Sequence, residues 1–189
     1  LARCARTGAA FLIEDFIEPR NLEQMIKERG YDYVIDAIDH VKSKAALIAY
    51  CRDHAIPMLT IGSAGGQVDP TRIEVRDLSK TEQEPMLKIV RKRLRNEYGF
   101  PRSPKTKFNV DAVFSMEPLT FPPEGDSCEI DQDAAGVTGL NCAGFGSSMV
   151  VTATFGMFAA AHLLRKLAAE ANGTAAPGQI VQTEAAALS

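Results

Sequence analysis

The segment Asp36-Ala-Ile-Asp39-His-Val-Lys-Ser-Lys44 sets two carboxylates three residues apart and an ammonium five residues beyond the second. A hard cation such as magnesium takes carboxylate oxygens and a lysine takes phosphate, so this order suits a magnesium-nucleotide site. The residues alone leave a plainer reading open, with Asp39 as a helix N-cap and Lys44 as a solvated helix residue. A second candidate is Cys142, in Asn141-Cys-Ala-Gly-Phe-Gly-Ser147. It precedes a glycine-rich entry to a helix, where backbone amides can lower a thiol pKa; structural packing is the alternative. Cys51 is expected in the core, while Cys4 and Cys128 have no evident partner. His40, His54 and His162 do not cluster by spacing, so no metal site is expected from them.

Charge is unevenly spread. Between Lys88 and Lys107 eight basic residues (Lys88, Arg91, Lys92, Arg93, Arg95, Arg102, Lys105 and Lys107) face one acid, Glu97, a local net of +7 in a chain whose total is -3. Each cation that reaches a phosphate releases counterions, so such a window suits an RNA backbone with an affinity that falls with salt. A solvated helix face is the alternative. No interleaved aromatic residues add base recognition.

These groups need positioning elements. Tyr33-Val-Ile-Asp-Ala-Ile38 reads as a buried strand, and Asp39 is expected to cap a helix running to about His54. Pro57 to Ile61 reads as the next strand, ending in the turn Gly62-Ser-Ala-Gly-Gly66. Strands separated by single amphipathic helices imply parallel pairing, hence an α/β, Rossmann-like doubly wound sheet with ligands at the carboxyl ends of its strands. Phe11 to Phe16 is strand-like, and a short helix capped by Asn21 and ended by Gly30 follows. Ile73 to Val75 and Val110 to Phe114 are further strands. Between them a helix is expected from about Lys80 to Tyr98, with Met86, Leu87, Ile89, Val90 and Leu94 inward and Gly99 at its end. A loop-rich region from 118 to 143 precedes a long apolar helix from about Ser147 to Ala171, and the tail 172–189 is expected to be disordered.

The chain has 189 residues, 46% apolar and 24% charged, the profile of a globular protein about one domain in size. The apolar window Met149 to Leu164 is shorter than the roughly 20 residues a bilayer needs and holds Thr152, Thr154 and His162, so it reads as a buried or interface helix. With no secretory signal and no C-x-x-C pair, the cytoplasm is the expected compartment, and neither a membrane nor DNA is expected as a partner.

YVIDAIDHVKSKAALIAYCRDHAIPMLTIGSAGGQVDPT resembles the central segment of the tRNA threonylcarbamoyladenosine dehydratases, and more loosely MoeB and ThiF, all of the ThiF/MoeB/HesA ubiquitin-activating-like superfamily. The resemblance continues through DLSKTEQEPMLKIVRKRLRNEYG, VFSMEPL and NCAGFGSSMVVTATFG, about 160 residues in order. It implies an ATP-dependent, adenylate-forming dehydratase that cyclises N6-threonylcarbamoyladenosine in tRNA, next to the anticodon, with ATP and magnesium as cofactors. Asp39 would work on the magnesium-ATP complex and Lys44 would lie near the phosphates, with Asp36 in the same site. Lys88, Arg91, Lys92, Arg95, Arg102, Lys105 and Lys107 would contact tRNA. In sulfur-transfer relatives a cysteine accepts the activated group, the catalytic reading of Cys142. A homodimer is implied, and a sulfur-transfer protein is a further candidate partner.

Two rivals stand beside this reading. One is activation of a sulfur-carrier protein as in MoeB and ThiF, against which the missing C-x-x-C pairs weigh. The other is a non-catalytic dimerisation or binding module built on the apolar helix and the Gly62 to Gly66 turn. Family members open with a strand and a glycine-rich phosphate loop, and neither precedes Leu1. Residues 1–171 are therefore expected to be the C-terminal part of an adenylating domain that is inactive alone or completed by another chain, because backbone amides do most of the work of holding phosphates.

Overall fold

The computed structural model describes residues 12–119 and 146–173. Four strands form one mixed sheet in the order β1-β2-β4-β3, with β1 at Val34–Asp36, β2 at Met58–Ile61, β3 at Ile73–Asp77 and β4 at Asp111–Ser115. β1, β2 and β4 run parallel, and β3 pairs antiparallel with β4. The antiparallel strand departs from the all-parallel expectation. Its reason is connectivity: β3 leaves β2 through a short turn and a 3₁₀ segment at Pro70–Arg72, with no crossover helix to reverse its direction. The α/β architecture is of the Rossmann-like kind, with helices on both faces.

Alternation along the strands sorts the side chains between two cores. Val34, Met58, Ala112 and Phe114 face α1 (Val41–Asp53) and α2 (Pro85–Glu97). Leu59, Val113 and Ile73 face α3 (Met149–Ala171) through Val151, Phe155 and Ala159. β4 lies between two neighbours and is buried at every position, as a central strand covered on both faces must be. α1 is buried nearly all round, consistent with its run of alanines and aliphatics. α2 buries only Met86, Leu87, Val90 and Leu94, each worth about 1.5–3 kcal/mol when fully removed from water.

Several boundaries differ from the sequence reading, each for a local reason. α2 begins at Pro85, where a residue without an N–H suits the first helical turn, and Glu84 is its cap. Ile89 is 41% exposed, so it lies outside the buried stripe. No strand forms over residues 12–16. Asn21 does not cap the π-helical turn Glu23–Lys27: its carboxamide turns back, donating to the Phe16 carbonyl at 2.8 Å and accepting from the Glu18 amide at 2.9 Å. Gly30 and Gly99 adopt positive φ (61° and 67°) and end their segments as expected.

α3 corrects the expectation of a long apolar helix. It has 23 residues, but one stripe carries its burial (Val151, Phe155, Ala159, Leu163), and His162, Arg165, Lys166 and Glu170 populate its second half. No helix among the described residues is long and apolar enough to cross a membrane. The second half of α3 is instead tied to the sheet by charge. Asp111 Oδ2 lies 2.8 Å from His162 Nε2 and 2.8 Å from Lys166 Nζ. Burial by itself would raise the Asp111 carboxyl, but the hydrogen bonds from His162 and Lys166 outweigh it and hold the group below its usual range. The Tyr33 hydroxyl is buried with no hydrogen-bond partner among the described residues, and that burial pushes its phenol up.

A depressed carboxyl contributes stability that is present above its unfolded pKa of about 3.9 and lost as pH falls through the lower folded value. Urea midpoints between pH 6 and pH 2 should therefore drop more steeply in the native chain than in Asp111→Asn. Equal slopes in the two proteins would show that the cluster is not coupled to folding.

Candidate functional site

The parallel pairing of β1 and β2 brings their carboxyl ends side by side, with Asp36 opposite Thr60 in register. Both side chains therefore point to the α1 face. One turn into α1, Lys44 reaches down between them. Its Nζ donates to Asp36 Oδ2 at 2.7 Å and to Thr60 Oγ1 at 3.0 Å, and Thr60 Oγ1 donates to the same carboxylate oxygen at 2.7 Å. Asp36 Oδ1 accepts the Ile38 amide at 2.9 Å, which turns the chain as it leaves the strand. Lys44 is 0% exposed and Asp36 1% exposed.

This arrangement corrects two expectations. Neither Asp36 nor Lys44 is presented to a ligand: the ammonium balances the aspartate rather than a phosphate, and both oxygens of Asp36 are already engaged. Lys44 is not a solvated helix residue either. A charge this deep persists because its partner and its hydrogen bonds compensate the lost water.

Asp39 differs from Asp36 in its exposure. It is exposed, three residues past β1 at the sheet's carboxyl edge. The cap of α1 is His40, not Asp39; its Nδ1 lies 3.4 Å from the Ser43 amide and 3.0 Å from Ser43 Oγ. The D-x-x-D element thus divides its labour, the first carboxylate holding the strand end and the second facing outward. Among the described residues no group of three or more His, Cys, Asp or Glu side chains is placed to hold a metal. A magnesium ion that arrives on nucleotide phosphates needs only one or two protein carboxylates, and Asp39 fits that requirement.

The glycine-rich turn after β2 lies beside this edge. A Cβ on Gly62 would come within 3.0 Å of Glu84 Cγ, so a glycine is needed there for close packing. Glu84 Oε1 accepts the Ser63 amide at 2.7 Å, and Oε2 accepts the Leu87 amide. Burial raises the Glu84 carboxyl, and these two amides with the nearby Lys44 charge oppose that effect. One carboxylate thereby anchors the turn and caps α2. At the far end of the turn Gly65 bridges to Ser147, at the entry to α3. The Glu84-Pro85 pair was the available signal for this anchor, since an acceptor before a helix-starting proline marks an N-cap.

The basic window splits into two kinds of residue. Lys88, Lys92, Arg102, Lys105 and Lys107 are exposed. Arg91 and Arg95 are half-buried: Arg91 donates to Thr81 Oγ1, and Arg95 donates to the Pro101 carbonyl at 3.2 Å and stacks over Phe108. The loop carrying Arg102, Lys105 and Lys107 is built, with Asp77 accepting the amides of Ser79, Phe108 and Asn109 and with Phe100 packed edge-on against Phe108. Lys88 and Arg91 also line an open cleft of about 410 Å³ with Gln83, Glu84, Pro85 and Leu119 at the start of α2.

Cys51 is buried in the core, which pushes its thiol up to about 12 and keeps it unreactive. Cys142, Cys4, Cys128 and the 120–145 segment lie outside the described residues. The contact of His162 with Asp111 was not foreseen, because 51 positions separate the two residues.

The chain is 52% identical over 157 residues to a tRNA threonylcarbamoyladenosine dehydratase of Haemophilus influenzae, covering 82% of this chain and 58% of that protein. It is 48% identical over 162 residues to the Escherichia coli K12 enzyme of the same name, covering 85% and 60%. The crystal structure of E. coli TcdA in complex with ATP superposes with a TM-score of 0.71 at 44% identity, over 86% of this chain and 58% of that one. The AMP complex of the same enzyme gives a TM-score of 0.70 at 45% identity, over 85% and 57%. The chain therefore spans about three fifths of the length of these relatives. The ThiF family model matches residues 10–186, nearly the whole chain, and on that match the chain belongs to the ThiF family.

Proposed function

We propose that this chain takes part in the ATP-dependent cyclisation of N6-threonylcarbamoyladenosine in tRNA, as residues 1–171 of an adenylating domain, in the cytoplasm and as a homodimer. The observation that carries the reading is an exposed Asp39 at the carboxyl edge of a Rossmann-like sheet, beside the Gly62 turn, in a chain about half identical to enzymes named for that dehydration. A carboxylate is a poor electrophile. In the proposed reaction the threonyl carboxylate bonds to the α-phosphorus of ATP as pyrophosphate leaves. The carbamoyl nitrogen then attacks the acyl carbon, its proton is lost, and AMP departs with the former carboxylate oxygen.

In this reading Asp39 would hold the magnesium carried by ATP, and that ion would supply positive charge to the phosphate leaving groups. The buried Asp36–Lys44–Thr60 network fixes the strand end from which Asp39 projects. The test is ATP-pyrophosphate exchange, with and without tRNA carrying the modified base, on this chain and on a version extended N-terminally to the length of its relatives. Exchange by the extended protein that requires Asp39 supports the reading. Silence from an extended protein that binds ATP would overturn it.

The exposed cations Lys88, Lys92, Arg102, Lys105 and Lys107 form the proposed tRNA face, while Arg91 and Arg95 are assigned to support that face from within. Lys92→Glu should weaken tRNA binding for every sequence alike and lower the slope of log affinity against log salt by about 1. Arg95→Ala should instead act through the stability of the Phe100–Phe108 loop. Binding by filter retention at several salt concentrations separates the two, and an unchanged slope in Lys88→Glu/Lys92→Glu would remove this face from the interface.

A further inference from the structure

The cleft at the start of α2 gathers positive charge that the fold of the chain does not use. Lys88 and Arg91 stand three residues apart on one side of the helix, so two cations share the wall of a space of about 410 Å³. Burial and the neighbouring Arg95 both disfavour the charged form of Arg91, and Glu84 and Glu82 offset only part of that effect. Glu84 is already committed, its Oε1 to the Ser63 amide and its Oε2 to the Leu87 amide. Among the described residues Arg91 forms no ion pair with either carboxylate.

Arg91 is nonetheless held in one orientation. The buried Thr81 hydroxyl donates to the Leu78 carbonyl at 3.1 Å, which leaves its lone pairs to accept from Arg91 Nη1. Arg91 Nη2 and Nε have no hydrogen-bond partner among the described residues. A half-buried guanidinium pinned by one nitrogen and lacking an anion is arranged to receive one. The other walls suit a small organic group. Pro85 and Leu119 are apolar, and Gln83, held at φ 56° where residues with side chains are uncommon, supplies a carboxamide with both donor and acceptor. The volume falls within the range of about 300–1,000 Å³ typical of small-molecule sites. Through Glu84 the cleft is joined to the Gly62 turn, at the carboxyl edge of the sheet where Asp39 is exposed.

We propose that this cleft receives the modified nucleoside itself, with its threonyl carboxylate on Arg91 and Lys88, its carbamoyl group against the Gln83 carboxamide and its purine against Pro85 and Leu119. The proposal rests on the dehydration reading above and adds the place where the reacting base is held. A base in a single-stranded loop can be turned out of its stack into such a pocket. The anion of that nucleotide could be its carboxylate or its phosphate, and the fork of Arg91 favours the carboxylate. A planar guanidinium matches a carboxylate through two parallel hydrogen bonds, while the exposed Lys92, Arg102, Lys105 and Lys107 already offer solvated charge to backbone phosphates. Unmodified adenosine would leave Arg91 unpaired, so the cleft discriminates against tRNA that has not yet been modified.

The experiment is fluorescence anisotropy of the full 189-residue chain with an anticodon stem-loop RNA carrying N6-threonylcarbamoyladenosine, and with the same RNA carrying adenosine. The native chain should bind the modified RNA at least about tenfold more tightly, the scale of one charge-assisted hydrogen bond. Lys88→Met, at an exposed position, and Arg91→Met should bring the ratio to within about twofold of unity, with Arg91→Lys between them and the native chain. Lys92→Met, outside the cleft, should weaken both RNAs alike and leave the ratio as it was. Partial unfolding of a variant would also weaken both together, so the ratio reports the site and not the fold. Magnesium with α,β-methylene-ATP, which cannot give up its α-phosphoryl group, should leave the ratio in place. A ratio abolished by that analogue would assign the cleft to the phosphates of ATP and overturn the proposal. Equal binding of the two RNAs by the native chain, or a preference that survives in both Lys88→Met and Arg91→Met, would overturn it while leaving the basic face as an RNA surface. Binding of neither RNA would overturn it together with the tRNA part of the reading on which it rests.

Discussion

Replacing Lys44 by methionine should cost about 3–5 kcal/mol of folding stability, the usual penalty for removing one member of a buried ion pair. The reason lies in what remains. Asp36 would keep a carboxylate 1% exposed, with the Thr60 hydroxyl and the Ile38 amide as hydrogen-bond donors and no positive charge beside it. Bulk water does not reach the site, because Asp36, Lys44 and Thr60 are themselves 1%, 0% and 0% exposed. Removing both charges is a different experiment. Asp36→Leu with Lys44→Met substitutes apolar volume for a paired charge, and such exchanges are often neutral or stabilising. The double variant should therefore recover most of the loss, and the coupling read from the double-mutant cycle should exceed 1 kcal/mol. Urea unfolding at pH 7 measures all four proteins. A Lys44→Met cost below about 1 kcal/mol, or a double variant no better than the single one, would show that the network does not hold this edge of the sheet.

Asp39→Ala should have the opposite profile. Asp39 is exposed and does not cap α1, so stability should change by no more than about 1 kcal/mol. ATP-pyrophosphate exchange by the extended protein should fall by about 100-fold or more, the scale on which single groups that stabilise developing charge affect rate. Asp39→Asn keeps the shape and removes the charge, and it should lose nearly as much. The pair of results separates the two aspartates of one short motif, with Lys44→Met lowering stability and Asp39→Ala lowering exchange in a protein that still unfolds at its native urea midpoint. If Asp39→Ala retained exchange within about threefold, the outward carboxylate would have no part in the chemistry and the proposed function would lose its carrying residue.

These expectations depend on how the two halves of Asp36-Ala-Ile-Asp39 are buried, which the spacing alone does not reveal. A three-residue gap between carboxylates is the same string whether both face a ligand or only one does. Strand pairing makes the difference: with Asp36 opposite Thr60, the first aspartate is committed to the α1 face, and Lys44 then has a partner within reach. In the same way, the run of cations between Lys88 and Lys107 reads as uniform in sequence, yet Arg91 and Arg95 are drawn inward by Thr81, Pro101 and Phe108 while their neighbours remain in water.

What the sequence determined by itself was local. The apolar spacing of Met86, Leu87, Val90 and Leu94, the helix-ending glycines Gly30 and Gly99, and the apolar runs that became β2 and β4 act over a few residues, where periodicity and backbone preference are decided by neighbours in the chain. The tertiary structure decided the long-range matters: the antiparallel placement of β3, the burial of Lys44, the anchoring of Ser63 by Glu84, and the meeting of His162 with Asp111 across the sheet. Each depends on strand register and on which helix covers which face, and these are set by the packing of the whole core rather than by any one segment.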